Sequence, residues 1–146
     1  MSGRIDRLLD ELRVALDAQR ATVRTDAPGA YFPVVYESLA PGTGSLRDDS
    51  TDLTKQPVPR ILAESGGQVV QEDSAAAFPD DAAFHEMRER YGGMRAQIVT
   101  GCYRDGSLVA LLSIHDLRSP RRFSESERSL CRAAAADIAG ELDDTP

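Results

Sequence analysis

The chain has 146 residues, a length typical of one domain, since single domains most often contain about 100–150 residues. Hydrophobic residues make up 41% and charged residues 28%, which disfavours wholesale disorder and fibrous repeats. The formal net charge of −7 opposes binding to a phosphate backbone, so we expect no nucleic-acid partner.

Membrane proteins and disulfide-rich proteins are disfavoured as well. No apolar run approaches the roughly 18–20 residues that a membrane helix needs, and charges recur from Arg4 through Arg13, where a signal peptide would be apolar. We therefore expect a cytoplasmic protein with no membrane partner. Cys102 and Cys131 form neither a metal-ligand spacing nor a disulfide framework, which predicts two free thiols.

The N-terminal quarter predicts a helix followed by a hairpin. The spacing of apolar residues predicts an amphipathic helix of about four turns within residues 1–19. These residues recur at three- and four-residue intervals: Ile5, Leu8, Leu9, Leu12 and Leu16. Residues 21–25 and 32–39 then have the β-branched and aromatic composition of two strands, with Pro33 at a strand start or on an edge.

The middle of the chain, residues 40–93, predicts few regular elements. Residues 40–59 are rich in Pro, Gly, Ser, Thr and Asp, which predicts a mobile loop with at most one helical turn. A short helix from Pro59 to Ala63 and a strand over 68–71 follow. The spacing of apolar residues then predicts a helix from Asp80, its expected N-cap, to Tyr91.

The C-terminal third has the clearest patterns. Residues 94–102 and 108–114 predict two strands joined by Asp105-Gly106, a pair that accepts the positive φ angles of a type I′ turn. The second strand is apolar on both faces, which places it at the centre of a sheet. Ser124 and Glu127 have the spacing of a capping box.

The capping box predicts a helix over residues 124–142. Its predicted apolar stripe contains Leu130, Cys131, Ala134, Ala135, Ile138 and Leu142. Two terminal helices that frame an antiparallel sheet indicate an α+β fold.

This order of elements resembles the GAF domain family over most of the chain, and most specifically over the C-terminal third. The residues that carry the resemblance are the strand at 95–99, the Asp105-Gly106 turn, the apolar strand that ends in His115-Asp116, and the Phe-Ser-x-x-Glu sequence at 123–127. Together they predict a single GAF-like domain over residues 1–146.

The resemblance implies an antiparallel sheet of five or six strands, within residues 20–116. The terminal helices would pack on one face, and residues 40–93 would cover a small-molecule pocket on the other. GAF domains usually serve as sensory or regulatory modules, and many dimerise through their terminal helices. We therefore expect a non-catalytic sensor that binds a small organic ligand and acts through a homodimer or a signalling partner.

Six side chains in or beside the predicted strands are candidate ligand contacts. A polar side chain that points into a covered sheet needs a partner, and a ligand could supply it. Arg24 and Arg95 could bind a carboxylate or phosphate through two hydrogen bonds, and Tyr36 could donate one. The alternative is exposure to solvent, because a one-residue shift in register reverses the face. The full set is Arg24, Tyr36, Glu37, Arg95, Gln97 and Cys102.

Cysteine and histidine chemistry receives less support. Some stand-alone GAF proteins are free methionine sulfoxide reductases with several clustered cysteines, whereas this chain has two, which favours a buried, structural Cys102. His85 could ligate haem as in some GAF sensors, but Glu86 and Glu89 favour a solvent-facing histidine, so we predict no haem. Adjacent His115 and Asp116 point to opposite faces, which favours a hydrogen bond from His115 to the following loop over an acid–base dyad.

The sequence also bears on other ligands and functions. Three arginines lie close together before the last predicted helix: Arg118, Arg121 and Arg122. They indicate a solvated loop, and the alternative is a patch that binds an anion. The family's cyclic-nucleotide signature and a Cys-His pair for bilin attachment are both absent from the sequence, which disfavours these ligands. Two alternative functions stay open: a protein-interaction module with an empty pocket and a thiol-dependent redox enzyme that uses Cys102.

Overall fold

The computed structural model describes residues 3–25, 33–47, 56–65 and 67–143, and within them the chain forms four α-helices and one antiparallel sheet. In chain order the elements are α1 (Gly3–Ala15), β1 (Arg20–Thr25), β2 (Val34–Leu39), α2 (Pro57–Ser65), β3 (Gln68–Gln71), α3 (Ala82–Arg90), β4 (Ala96–Arg104), β5 (Ser107–Asp116) and α4 (Glu125–Asp143). The five strands have the order β2-β1-β5-β4-β3. The α+β fold class is thereby confirmed, with β5 at the centre of the sheet.

The helix face of the sheet, defined as the face that packs on α1 and α4, holds the larger apolar core. α1 buries Ile5, Leu9 and Leu12 against this face. The helix ends at Ala15, before the expected boundary at 19, because Asp17 has a left-handed φ of 49°. Arg4 Nε lies 4.0 Å from Glu141 Oε2, so the start of α1 adjoins the end of α4.

The apolar stripe of α4 is confirmed except at one position. Cys131, Ala135 and Ile138 are buried in the core on the helix face, whereas Leu130 is 47% exposed. Successive residues of an α-helix are about 100° apart, so Leu130 lies well to the side of the stripe centred near Cys131. The prediction that Leu130 is buried was therefore wrong.

Two local motifs match the sequence closely. Asp105 and Gly106 have φ angles of 51° and 80°, as the expected turn between β4 and β5 requires. Glu127 donates its backbone N–H to Ser124 Oγ at 3.1 Å, and Ser124 donates its own to Glu127 Oε1 at 2.8 Å. This reciprocal capping box begins α4.

The segment after β2 is bound to the sheet rather than detached from it. Glu37 accepts hydrogen bonds from Ser45 Oγ and from the backbone N–H of Leu46, both at 2.6 Å. Residues 40–47 therefore differ from the mobile loop that their composition suggests, because the Glu37 carboxylate supplies the partner that the composition cannot reveal. Residues 48–55, the rest of that predicted loop before α2, lie outside the described residues.

The helices over the other sheet face begin at slightly different residues than expected. α2 begins at Pro57, two residues before the expected start, which suits a residue without a donor N–H in a first turn. The N-cap of α3 is Asp81, not Asp80: Asp81 Oδ1 accepts the backbone N–H of Phe84 at 3.0 Å. Phe84 and Met87 then point from α3 into the second apolar core, together with Leu62 of α2.

Candidate ligand-binding site

The cavity face of the sheet, defined as the face opposite α1 and α4, carries an unusual number of polar side chains. Arg20, Thr22 and Arg24 alternate along β1 and are all buried. The register pairs Arg20 with His115 and Thr22 with Ser113 of β5. Since directly paired residues share a face, these polar groups form one buried layer beneath α2 and α3.

A small cavity lies between this layer and the two covering helices. Its volume is about 30 Å³, which is room for about two water molecules. The lining residues come from β1, β4, β5, α2, α3 and the residues flanking those helices: Arg24, Gln56, Val58, Pro59, Phe84, Met87, Tyr91, Gln97, Val99, Leu111, Ser113 and His115. A wall of apolar side chains therefore faces a cluster of hydrogen-bonding groups.

Tyr91 closes one side of the cavity. Its hydroxyl oxygen accepts a hydrogen bond from Arg24 Nη2 at 2.7 Å, and the Arg24 guanidinium carbon lies 5.5 Å from the centre of its ring. The same ring stacks on His115, with centroids 5.6 Å apart and an angle of 26° between the planes. Tyr91 thus offers both an aromatic surface and a polar oxygen to the cavity face.

Arg20 links the backbone of residues 44 and 91 to the His115 side chain. It is 2% exposed and donates to the backbone oxygen of Tyr91 at 2.9 Å, to that of Gly44 at 2.9 Å, and to His115 Nδ1 at 3.2 Å. A guanidinium can only donate, so Nδ1 accepts and the neutral His115 carries its proton on Nε2. Burial lowers the pKa of Arg20, while the nearby Glu37 carboxylate opposes that shift.

The electrostatics of the cavity keep His115 neutral. Burial lowers the pKa of His115 well below its usual 6.5, and the positive charges of Arg20 and Arg24 lower it further. The imidazole therefore acts as a fixed hydrogen-bonding and stacking group at neutral pH, not as a proton donor in an acid–base cycle.

Several buried polar atoms around the cavity have no hydrogen-bond partner in the part of the chain that is described. They are Thr22 Oγ1, Gln56 Oε1 and Gln71 Nε2. Gln97, which lines the cavity, donates its Nε2 to Gln71 Oε1 at 2.9 Å. Buried polar atoms without partners are rare, and water or a ligand commonly supplies the missing contact.

Of the six side chains expected from the sequence, two line the cavity. They are Arg24 and Gln97. Glu37 lies beside Arg20 but binds residues 45 and 46, and the Arg95 side chain, which precedes β4, is exposed. The structure does not bring Glu37 and Arg95 to the cavity wall.

Tyr36 and Cys102 lie on the helix face. Tyr36 pairs with Val23 and packs against the core on that face, and Cys102 is buried in the same core. Burial raises the pKa of Cys102 to about 12, so the thiolate that redox chemistry needs is strongly disfavoured. The sheet therefore separates both residues from the cavity.

Two residues that the sequence left out of the candidate set, Tyr91 and His115, are central to the cavity. The expected bond from His115 to the following loop is wrong: Asp116 makes it, accepting the backbone N–H groups of Arg118 at 2.8 Å and Ser119 at 3.3 Å. The signal for His115 was its position in an otherwise apolar central strand. A buried polar residue there needs a partner on a neighbouring strand.

Other candidate centres lie elsewhere. His85 is half-buried, its Nε2 is 3.1 Å from the Phe78 carbonyl oxygen, and it does not line the cavity. Arg118 and Arg121 both approach Asp116, at 3.4 and 3.6 Å, which reduces their capacity to attract an anion. Among the described residues, no group of three or more His, Cys, Asp or Glu side chains would suit a metal ion.

None of the helices in the described part of the chain has the combined length and apolar character that crossing a bilayer requires.

Solved structures share this architecture. No curated protein sequence matches the chain. The blue-light-absorbing form of the PixJ GAF domain of Thermosynechococcus elongatus is 22% identical, with 95% of this chain and 82% of that chain covered and a TM-score of 0.80. GAF3 from Slr1393 of Synechocystis sp. PCC6803, in its photoproduct state, is 18% identical over 94% and 92%, with a TM-score of 0.70.

A third structure is the chromophore-binding domain of the bacteriophytochrome RpBphP3 from R. palustris. It is 22% identical, covers 95% of this chain and 54% of that chain, and has a TM-score of 0.77. At these identities the likeness concerns the fold. The sequence itself matches the model of the GAF domain family over residues 2–142. The chain therefore belongs to the GAF domain family.

Proposed function

We propose that this GAF domain is a sensor that binds a small organic ligand in the cavity beneath α2 and α3. The observation that carries the proposal is a cavity among buried side chains in which Gln56 Oε1 has no partner within the described residues while Arg24, Gln97 and His115 present polar groups. The relatives in known structures include chromophore-binding and light-absorbing domains, which supports a ligand site in this fold.

Ligand binding requires the cover to move. The present volume of about 30 Å³ is smaller than the roughly 300–1,000 Å³ of ordinary ligand pockets. A ligand therefore selects a state in which α2 and α3 lie farther from the sheet, and its effect is set by its differential affinity for the two states. The moving contacts include Arg20, which joins residue 44 to Tyr91.

The signal would leave through the opposite face of the sheet. Strands β1, β4 and β5 contribute to the cavity and also to the core beneath α1 and α4. We propose that α1 and α4 form a homodimer or contact a signalling protein, since Val14 of α1 is 66% exposed and Leu130 of α4 is 47% exposed. In this proposal the domain is non-catalytic and lies in the cytoplasm, where its two free thiols stay reduced.

The exposed apolar residues on α1 and α4 also favour a second candidate, an interaction module whose cavity holds no ligand. The groove between these helices is lined by Leu8, Leu12 and Leu130 with neighbouring alanines. A thiol enzyme is the weakest candidate, because burial raises the pKa of both Cys102 and Cys131 to about 12.

Mass spectra of the freshly purified full chain, native and then denatured, test the proposal. We expect a mass excess that disappears on denaturation and that is lost in Ser113→Ile, because the larger side chain fills the cavity. Ser129→Ile places the same side chain on the exposed surface of α4 and should retain the excess. A dimer without excess mass would contradict the ligand proposal and favour the interaction module.

A further inference from the structure

The cover of the cavity supplies an acceptor that has no partner. Gln56, directly before α2, is 4% exposed and lines the cavity. Its Nε2 donates to the Ala83 backbone oxygen of α3 at 3.3 Å. A carbonyl oxygen only accepts, so this contact fixes which end of the Gln56 amide is the NH2 group. The other end, Oε1, is buried without a hydrogen-bond partner among the described residues, and it can accept a bond from a ligand.

The sheet supplies the complementary donor. His115 on β5 accepts from Arg20 at Nδ1, so its proton is on Nε2. His115 lines the cavity, and the hydrogen bonds among the described residues include none from Nε2. Burial lowers the pKa of His115 well below 6.5, so the imidazole is neutral at neutral pH. The cavity therefore has an acceptor on its cover and a donor on the sheet, and neither group is charged.

These two atoms discriminate between classes of ligand. A carboxylate only accepts, so it satisfies His115 Nε2 but places a second acceptor against Gln56 Oε1. An ammonium group only donates, so it satisfies Gln56 alone. A carboxamide carries an N–H donor and a carbonyl acceptor on separate atoms, which suits two walls of one cavity. Because an unpaired buried donor or acceptor costs more than a typical hydrogen bond contributes, the arrangement favours an uncharged amide.

The remaining wall favours a compact apolar body on that amide. Val58 and Pro59 of α2 and Met87 of α3 line the cavity from the cover, and Val99 and Leu111 line it from the sheet. The present volume is about 30 Å³, so a compact body requires the smallest displacement of the two helices. A short, branched aliphatic group therefore suits this wall.

We propose, building on the sensory function above, that the ligand is a small, uncharged carboxamide with a compact apolar body. Its carbonyl oxygen accepts from His115 Nε2, and its N–H donates to Gln56 Oε1. Because the same Gln56 side chain donates to the backbone of Ala83, the ligand joins β5 to the start of α2 and to α3. Binding then fixes the position of both covering helices relative to the sheet.

Three probes that differ in one group test this assignment on the full chain at neutral pH: isobutyramide, methyl isopropyl ketone and isobutyrate. The ketone replaces the NH2 group of the amide by a methyl group, and isobutyrate replaces it by a charged oxygen. Titration followed by ¹³C-methyl NMR of Met87, which lines the cavity, measures the affinity. We expect isobutyramide to bind at least about fivefold more tightly than either, because both of the others leave Gln56 Oε1 unpaired.

A substitution of Gln56 tests the contact on the cover. In Gln56→Leu the N–H of the amide has no acceptor, so the ratio of amide affinity to ketone affinity should fall to about one. A substitution that only loosens the cover weakens both probes alike and keeps this ratio, which separates ligand contact from a structural role. Gln68→Leu makes the same exchange on β3, outside the cavity, and should also keep the ratio.

The contact on the sheet can be observed without changing it. The chain has two histidines, so His85→Gln leaves His115 as the only imidazole in ¹⁵N NMR spectra. Isobutyramide should shift the His115 Nε2–H signal and slow its exchange with water, while methyl isopropyl ketone at equal occupancy should produce a similar shift through its carbonyl. An Nε2–H signal that stays unchanged at saturation with isobutyramide would overturn the assigned contact.

The outcomes distinguish this assignment from the sensory function on which it rests. If the ketone or isobutyrate shifts the Met87 signal with an affinity equal to or greater than that of isobutyramide, the amide assignment is overturned while the site remains. If the affinity ratio survives in Gln56→Leu, Gln56 is not the acceptor and the assignment is wrong. If no probe shifts the Met87 signal, small amides are not the ligand, and the native mass spectrum decides independently whether the domain binds any ligand.

Discussion

His115 predicts a specific loss of stability in mild acid. In the folded protein its pKa lies well below 6.5, because burial and the charges of Arg20 and Arg24 oppose protonation. The unfolded chain therefore takes up the proton first as the pH falls. The stability that neutral His115 provides is fully present above pH 6.5 and is lost as the pH falls below that value toward the folded pKa.

The size of this loss follows from proton linkage. One proton of difference between the two states changes the free energy of unfolding by about 1.4 kcal/mol per pH unit. Between about pH 7.5 and about pH 5 the loss is at most about 2 kcal/mol, the value for a histidine that stays neutral in the folded state throughout this range. Asp116 adds to the loss of stability only at lower pH. Burial alone would raise the pKa of Asp116, but hydrogen bonds involving Arg118 and Ser119 outweigh it and lower this pKa below 3.8.

Urea unfolding at a series of pH values measures this loss. His115→Gln should remove the slope, since the glutamine oxygen can still accept from Arg20 but does not titrate. The chain has two histidines, and His85→Gln, which changes the one outside the cavity, should keep the wild-type slope. A flat wild-type profile in this range, or the same slope in His115→Gln as in the wild type, would refute the reasoning.

Two further predictions concern buried side chains and a third concerns the cap of α4. Arg20→Met should destabilise the fold by about 3–5 kcal/mol, because its buried acceptors lose their donor, whereas exposed Arg122→Met should change the midpoint of urea unfolding little. Cys102 and Cys131 should react with a thiol reagent only after unfolding; rapid labelling of the native chain would contradict their burial. Ser124→Ala should cost about 1 kcal/mol of thermal stability through the lost cap, and an unchanged melting temperature would count against it.

Period-two alternation explains which parts of the site could be predicted. Arg20, Thr22 and Arg24 share one face of β1 whatever the register, so the sequence already groups them. The same rule places Gln97 and Cys102 on opposite faces of β4, because they are five positions apart. The alternation is uninterrupted between them, since the irregularity in that strand comes only after Cys102. Parity explains why Tyr36 and Cys102 are absent from the cavity, whereas Arg95 fails because it precedes β4 and Glu37 because it binds residues 45 and 46.

The sequence could not decide which face of the sheet carries the cavity. That depends on pairings such as Thr22 with Ser113, which are set by the sheet as a whole and not by either strand alone. Tyr91 could not be assigned for a related reason. Its bond to Arg24 spans 67 residues and depends on how α3 packs over the sheet.

The contact between Arg4 and Glu141 has a consequence for chain connectivity. It holds the start of α1 beside the end of α4, while Asp105 and Gly106 form an exposed turn between β4 and β5. A short peptide could therefore join the two terminal helices, and the chain could be opened at this turn instead. The order of residues along such a circular permutant would change, but every strand neighbour in the sheet would be preserved.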